Sequence, residues 1–350
     1  MEEEFIRKRR WIAQAEFLDR VAAANLIPGP SSTEVAIFIG QSLRGWAGLI
    51  VAGSCFIVPA AVLVTLIAAV YVRYGALPRV AGILAAIKPA VIAIILQALW
   101  KLAPSAAKTK TLALIGVGAA LLSFFGAGPL LVLAFAGAAS GTVLWVKRAK
   151  SGHAAVIFPG WKGAWLVGIA AGGAAAVPVT AARLFLSFLK IGSVVFGSGY
   201  VLLAFLRAEF VYRLHWLTER QLIDAVAVGQ FTPGPVFTTA TFIGYLVAGV
   251  SGAILATVGI FLPGFVLVAL SGPLLPKIRR SQLASAILDG VVVGSLALMT
   301  AVAWQLGRAS VTGWFTLAIF VASAVAVLRF RVNSAWVVAG AALLGLIVRA

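Results

Sequence analysis

Apolar stretches set the first limit on what this chain of 350 residues can fold into. They lie at 46–72, 80–102, 109–124, 128–146, 183–206, 249–270, 283–306, 309–328 and 333–348. A hydrocarbon core is crossed by about 20 apolar residues in a helix, and the shorter stretches cross with flanking residues or local thinning. Charged residues make up 11% of the chain and hydrophobic ones 62%. A soluble domain carries about 25% charged residues, and disorder needs low hydrophobicity, so both classes are excluded. The fold class is all-α, a polytopic helical membrane protein.

Lys and Arg number 28 against 10 Asp and Glu, a formal net charge of +18. On a soluble protein that surplus would suggest nucleic acid. Here the basic clusters, at 7–10, 101–110, 147–150 and 277–280, fall between apolar stretches and read as cytoplasmic loops, with membrane lipid rather than nucleic acid as the neighbour. The lone Cys55 rules out a disulfide within the chain, and His153 and His215 are far apart, so neither metal nor cofactor is expected. Glu2, Glu3 and Glu4 follow Met1 directly, which is unlike a signal peptide.

The sequence also repeats itself. Glu4-Phe5, Trp11, Asp19 and Pro28-Gly29-Pro30 match Glu209-Phe210, Trp216, Asp224 and Pro233-Gly234-Pro235 at an offset of 205. One residue is then lost, and an offset of 204 pairs Gly40 with Gly244, Gly45 with Gly249, Gly48 with Gly252, Pro59 with Pro263, Leu84 with Leu288, Trp100 with Trp304 and Gly141 with Gly345. Matched Trp, Asp and PGP triplets exceed what chance pairing of Gly and Ala gives. Three segments follow: a first membrane repeat at 1–150, a connection at 151–182 and a second repeat at 183–350. Stretch 183–206 carries Lys190-Ile191-Gly192 and Phe196-Gly197-Ser198-Gly199 and opens the second repeat. It reads as one helix without a counterpart in the first, so a gap is expected beside 46–72.

Charge argues for inverted repeats. With 7–10 inside, 73–79 falls outside, 101–110 inside, the 126–128 turn outside and 147–150 inside. Placing 204–216 outside then puts 277–280 and 329–331 inside, with Arg308 outside, which follows the positive-inside bias better than a parallel arrangement. An odd number of crossings must separate Lys150 from Arg207. Since 183–206 supplies one, the weaker stretch 164–181 is not expected to cross.

Each PGP triplet should break a membrane helix and start a new one, because Pro removes a donor and Gly permits the sharp path between. The first N–H groups of the new half-helix lack intrahelical acceptors and carry the positive end of its dipole. Pro28, Gly29 and Pro30 are followed by Ser31, Ser32 and Thr33, and Pro233, Gly234 and Pro235 are followed shortly by Thr238 and Thr239. Two such ends, with hydroxyl donors, suit a small tetrahedral oxyanion. A plain kink would explain one triplet but not two at equivalent positions.

Ionisable residues inside apolar stretches are functional candidates. Lys88 and Lys190 would offer positive charge to an anion, and Glu34 and Asp289 are candidates for a coupling proton. Snorkelling or a structural ion pair is the competing reading for each. Asp19, Asp224, Glu4 and Glu209, with Arg residues close by, read as ion pairs at the membrane surface, and the 196–199 stretch as a close-packing site.

These residues carry a resemblance. The run Asn25-Leu26-Ile27-Pro28-Gly29-Pro30-Ser31-Ser32-Thr33-Glu34, with Gly40, Gly45, Gly48 and Phe56-Ile57-Val58-Pro59, is similar to the first-half signature of the chromate ion transporter family. Phe188-Leu189-Lys190-Ile191-Gly192, Phe196-Gly197-Ser198-Gly199-Tyr200 and Gly229-Gln230-Phe231-Thr232-Pro233-Gly234-Pro235 resemble its second-half signature. The resemblance covers nearly the whole chain. It implies the long, two-repeat form of the family, an inner-membrane protein that exports chromate, confers resistance and is driven by the proton gradient. It also implies a helix bearing Phe-Gly-Gly-Pro ahead of 2–11, for which the sequence offers no residues. Another tetrahedral dianion such as sulfate is the nearest alternative substrate. A membrane-embedded enzyme acting on lipid phosphates would need an acidic cluster or a His nucleophile, and a scaffold would not need two anion-ready helix starts. A homodimer is compatible with this reading.

Overall fold

The computed structural model describes residues 27–75, 78–150, 178–196, 199 and 201–348, with Trp11, Ile12, Gln14, Phe17, Arg20, Val21 and Ala24 ahead of them. Every regular element among the described residues is helical. In chain order they are α1 (Ser31–Tyr74), α2 (Pro78–Ala106), α3 (Lys110–Phe124), α4 (Pro129–Lys150), α5 (Ala181–Val194) and α6 (Leu202–Leu206). A π-helical turn (Arg207–Arg213), α7 (Glu219–Phe231) and a 3-10 turn (Val236–Thr238) follow, then α8 (Thr239–Arg280), α9 (Gln282–Ser310), α10 (Trp314–Leu328) and α11 (Ser334–Val348). Five spans long and apolar enough to cross a bilayer fall in α1, α2, α4, α8 and α9, and shorter apolar helices in α3, α10 and α11. Local signals mark the helix starts. Pro78 and Pro129 occupy first positions, where the missing N–H is no loss, while Thr109, Thr180, Thr218 and Ser281 cap α3, α5, α7 and α9.

Neither α1 nor α8 is one straight rod. The backbone leaves helical values at Arg44 and Gly45 (φ 57°) in α1 and at Ala248 and Gly249 (φ 62°) in α8. Gly accepts these left-handed angles without steric penalty, and the two breaks stand at the repeat offset of 204. Each element folds back as a hairpin of a short and a long arm. A Cβ on Gly40 would collide with the carbonyl of Gly48 and with Ala52, and one on Gly244 with the carbonyl of Gly252 and with Ala256. Ile37 faces Gly53, two residues that a straight helix would hold about 24 Å apart. At the corresponding place in the second hairpin, the hydroxyls of Thr241 and Thr257 lie 2.7 Å apart.

The contact between the hairpins gives the symmetry. The ring of Phe265 on the long arm of α8 lies over Gly53 on the long arm of α1. Leu49, one turn earlier, shares an apolar cluster with Val268, about one turn later. Parallel arms would set Gly53 level with its counterpart Thr257, about 12 Å from Phe265 along the axis. The arms are therefore antiparallel, and the twofold relating them is perpendicular to both. For helices that cross a bilayer, such an axis lies in the membrane plane, so the repeats are inverted.

Stretch 183–206 differs from the single helix expected. Helix α5 ends at Val194, Val195 is extended (φ −75°, ψ 107°), and the chain returns through α6 and the π-helical turn. The rings of Phe188 and Phe210 are 4.7 Å apart, where one helix would separate them by about 33 Å. Glycines explain the geometry. Gly192 lies against the Ile260 carbonyl and Gly259 against the Phe185 carbonyl, so α5 is drawn close onto the long arm of α8 and stops there. A hairpin that opens on the side it entered contributes no crossing. The weaker stretch 164–181, expected not to cross, lies outside the described residues but for 178–181. At the matching place on α1, where the gap was expected, the face is uncovered: Cys55 is exposed, and Val58 and Val62 are each 54% exposed.

Because the hairpin arms touch through glycine, Gly40→Val and Gly244→Val should each lower stability by about 1–3 kcal/mol or more. Gly340→Ala, which meets open space, should be neutral. Thermal unfolding in detergent checks both, and wild-type melting of the two valine variants would contradict the hairpins.

Candidate transport site

Both PGP loops meet the α5–α6 tip. The Gly29 N–H donates to the Val195 carbonyl at 2.8 Å, and Gly199 packs against Val236, just after the second triplet. Each triplet also rests on the opposite hairpin. Gly234 lies against Ala60, while Gly264, the counterpart of Ala60, lies against the Glu34 carboxyl that covers Gly29. These contact points directly follow the matched Pro59 and Pro263. With φ of 136° at Gly29 and 153° at Gly234, both loops need glycine.

The helix starts are formed as expected. The first bonds run from the Thr33 N–H to the Pro30 carbonyl at 2.7 Å and from the Thr238 N–H to the Pro235 carbonyl at 2.9 Å. The amides of Ser31, Ser32, Val236 and Phe237 precede those bonds and carry the positive helix ends. Pro28, Gly29 and Pro30 are buried, whereas Ser32, Pro233 and Gly234 are exposed. Side chains divide unevenly. Thr238 Oγ1 donates to the Pro235 carbonyl at 2.9 Å and Thr239 Oγ1 to the Val236 carbonyl at 2.8 Å, so their hydroxyl protons are engaged locally. Thr33 and Glu34 are each 1% exposed, and Thr33 Oγ1 and Glu34 Oε2 have no hydrogen-bond partner among the described residues.

Gln230 did not stand out in the sequence as a site residue. Its Nε2 is buried without a partner, in a narrow cleft lined also by Gly199, Val226, Val236 and Thr239. The available signal was its place three residues before Pro233, opposite Asn25 of the first repeat.

The charged candidates are held by partners. Lys88 Nζ is 3.0 Å from Asp224 Oδ1, and the Tyr71 hydroxyl donates to Asp224 Oδ2 at 2.9 Å. Asp224, expected at the membrane surface, has a side chain that is fully buried. This network is one-sided: at the repeat offset, Tyr71 and Lys88 correspond to Leu275 and Val292. Lys190 pairs with Glu209 at 3.3 Å, and Asp289 pairs with Lys108 at 2.9 Å, where both side chains are at least one-third exposed. Thr33 and Glu34 thus lie at the first triplet and Gln230 beside the second, while the ammonium groups of Lys88 and Lys190 and the carboxylate of Asp289 sit in ion pairs.

Inverted repeats with discontinuous helices that meet at their breaks are the architecture of membrane transporters. The chain belongs to the chromate transporter family, whose profile matches residues 1–142 and 182–346. It is thus a multi-pass transporter rather than an enzyme. A chromate transport protein of Cupriavidus metallidurans is 30% identical over 99% of this chain and 86% of its own. A probable chromate transport protein of Synechococcus elongatus is 27% identical over 89% of this chain and 79% of its own. One from Pseudomonas aeruginosa, named a chromate transport protein, is 28% identical over 87% and 74%. No solved structure matches the chain.

Removing one member of a buried ion pair strands the other charge and costs about 3–5 kcal/mol, whereas removing both costs less. Lys88→Met and Asp224→Asn should therefore each destabilise the protein more than the double variant does. A double-mutant cycle by thermal unfolding in detergent measures this, and additive losses would contradict the pairing.

Proposed function

We propose that this protein is a secondary transporter that exports chromate across the inner membrane in a proton-coupled cycle. The observation that carries this reading is the Glu34 carboxyl, 1% exposed, wedged between Gly29 of its own triplet and Gly264 of the opposite repeat. The amides of Ser32, Val236 and Phe237, the Thr33 hydroxyl and the Gln230 amide offer hydrogen bonds to a tetrahedral oxyanion. An ionised carboxylate in the same space repels a dianion, so protonation of Glu34 and anion binding favour one another, and by linkage the favour is mutual. Carried with one proton, a dianion moves one net negative charge, which an inside-negative potential drives outward by about 2.3 kcal/mol per 100 mV. Sulfate presents the same shape and charge to these donors and is the alternative substrate.

Chromate uptake into everted vesicles, with and without a proton gradient and with sulfate as competitor, tests the reading. Uptake should rise on energisation and fall when the membrane potential is collapsed. Glu34→Gln should leave a residual uptake that no longer responds to pH, while Thr33→Val, by removing a hydrogen bond to a charged ligand, should raise the KM roughly tenfold or more. Wild-type pH dependence in Glu34→Gln would overturn the coupling role. Uptake of sulfate but not chromate would transfer the function to the alternative substrate.

A further inference from the structure

The α5–α6 hairpin opens away from the triplets into a groove of about 450 Å3 lined by Arg183, Ser187, Lys190, Glu209 and Arg213, with Leu186 and Leu214. Its charges are organised around one carboxylate. Ser187 Oγ donates to Glu209 Oε1 at 3.1 Å, Arg213 reaches the same oxygen at 2.5 Å, and Lys190 lies 3.3 Å from Oε2. The Glu209 side chain is 7% exposed, whereas those of Lys190 and Arg213 are 45% and 62% exposed. Arg183 is also exposed, its guanidinium meeting the Pro178 carbonyl at 3.5 Å. Three cations facing one carboxylate leave a surplus of two positive charges, held on a rigid base.

We propose that this groove captures the oxyanion before it reaches the triplets and favours dianions over monoanions. The inference rests on the dianion reading above and adds a second, outer site to it. The surplus of two charges matches a tetrahedral dianion, and the open face lets the anion bind without full desolvation. The groove also lies close to the central site. Lys190 is five residues from Val195, about 7.5 Å along the helix, and the Val195 carbonyl receives the Gly29 amide. Charged clefts of this kind raise the local anion concentration and the association rate by about 10-fold to 1,000-fold, an effect that salt removes. A lipid phosphate presents the same chemistry, so the source of the anion must be separated by experiment.

The test uses the full chain in proteoliposomes, measuring initial rates of chromate uptake with sulfate or nitrate as competitor. Arg183→Gln combined with Arg213→Gln should raise the chromate KM about tenfold, well beyond any fall in maximal rate. It should also flatten the dependence of KM on ionic strength. Sulfate should lose potency in the same variant, while inhibition by nitrate should stay as it was. Lys190→Arg, which keeps the charge, should retain the parental KM, and Lys190→Gln should not. These effects should be the same in vesicles of phosphatidylcholine alone and in vesicles containing anionic lipid. An effect confined to the anionic vesicles would assign the groove to lipid phosphate and overturn the proposal. An unchanged KM and salt response in a transporting variant would overturn it too, leaving the central site intact. A parent that carries no chromate would count against the transport reading instead. Sulfate binding by equilibrium dialysis would then still test the groove, with binding by the parent and loss in the double variant supporting capture, and equal binding refuting it.

Discussion

A helix broken inside hydrocarbon exposes backbone N–H and C=O groups where no water can receive them, and each such group costs several kcal/mol if left alone. This chain breaks its helices at both PGP triplets and at the α5–α6 tip, and it brings those breaks together. The bond from the Gly29 amide to the Val195 carbonyl shows the principle, since a donor freed by one interruption meets an acceptor freed by another. The helix starts that follow the two triplets adjoin this junction, and their leading amides carry the positive helix ends.

Close convergence demands small residues. Gly40 on Gly48, Gly244 on Gly252 and Gly192 on Ile260 are backbone-to-backbone approaches that any larger side chain would prevent, and Gly234 lies against the Ala60 methyl. Inverted symmetry repeats the fold but not the chemistry. Thr33 holds its hydroxyl free while its counterpart Thr238 bonds the Pro235 carbonyl, and the Tyr71–Asp224–Lys88 network has no equivalent in the other half.

Much of the architecture was legible in the sequence because bilayer physics is nearly one-dimensional. Apolar length marked the spans, Pro and Gly marked the breaks, and the matched offset marked two copies of one design. Hydropathy is blind to direction reversals inside an apolar stretch, which is why 183–206 read as one helix and why the folds at Arg44-Gly45 and Ala248-Gly249 went unseen. Gly45 and Gly249 were visible as a matched pair, yet pairing alone does not reveal a left-handed φ. Side-chain partnership was harder still. Lys88 and Asp224 are far apart in sequence, and only the packing of α2 against α7 neutralises one with the other. Lys190 likewise drew notice for its charge, whereas its position is set by Glu209 on the returning arm.

The placement of charge separates two tasks that conflict. Rapid capture of a dianion wants several exposed cations, but a dianion buried among unpaired cations would be bound too tightly to leave. In this fold the exposed cations sit at the mouth of the α5–α6 hairpin, where water screens them, and the partly buried cation Lys88 is already neutralised by the buried Asp224. At the centre, amides and hydroxyls act as neutral donors, each contributing a modest net stabilisation. Among the described residues, the acid Glu34 is wedged between Gly29 of its own triplet and Gly264 of the opposite repeat, where its charge would oppose a dianion. On the proposed reading, binding there would be strong only while the carboxyl holds a proton, and losing that proton would eject the anion. A centre built in this way would couple release to proton transfer because it lacks the fixed positive charge that would make release slow.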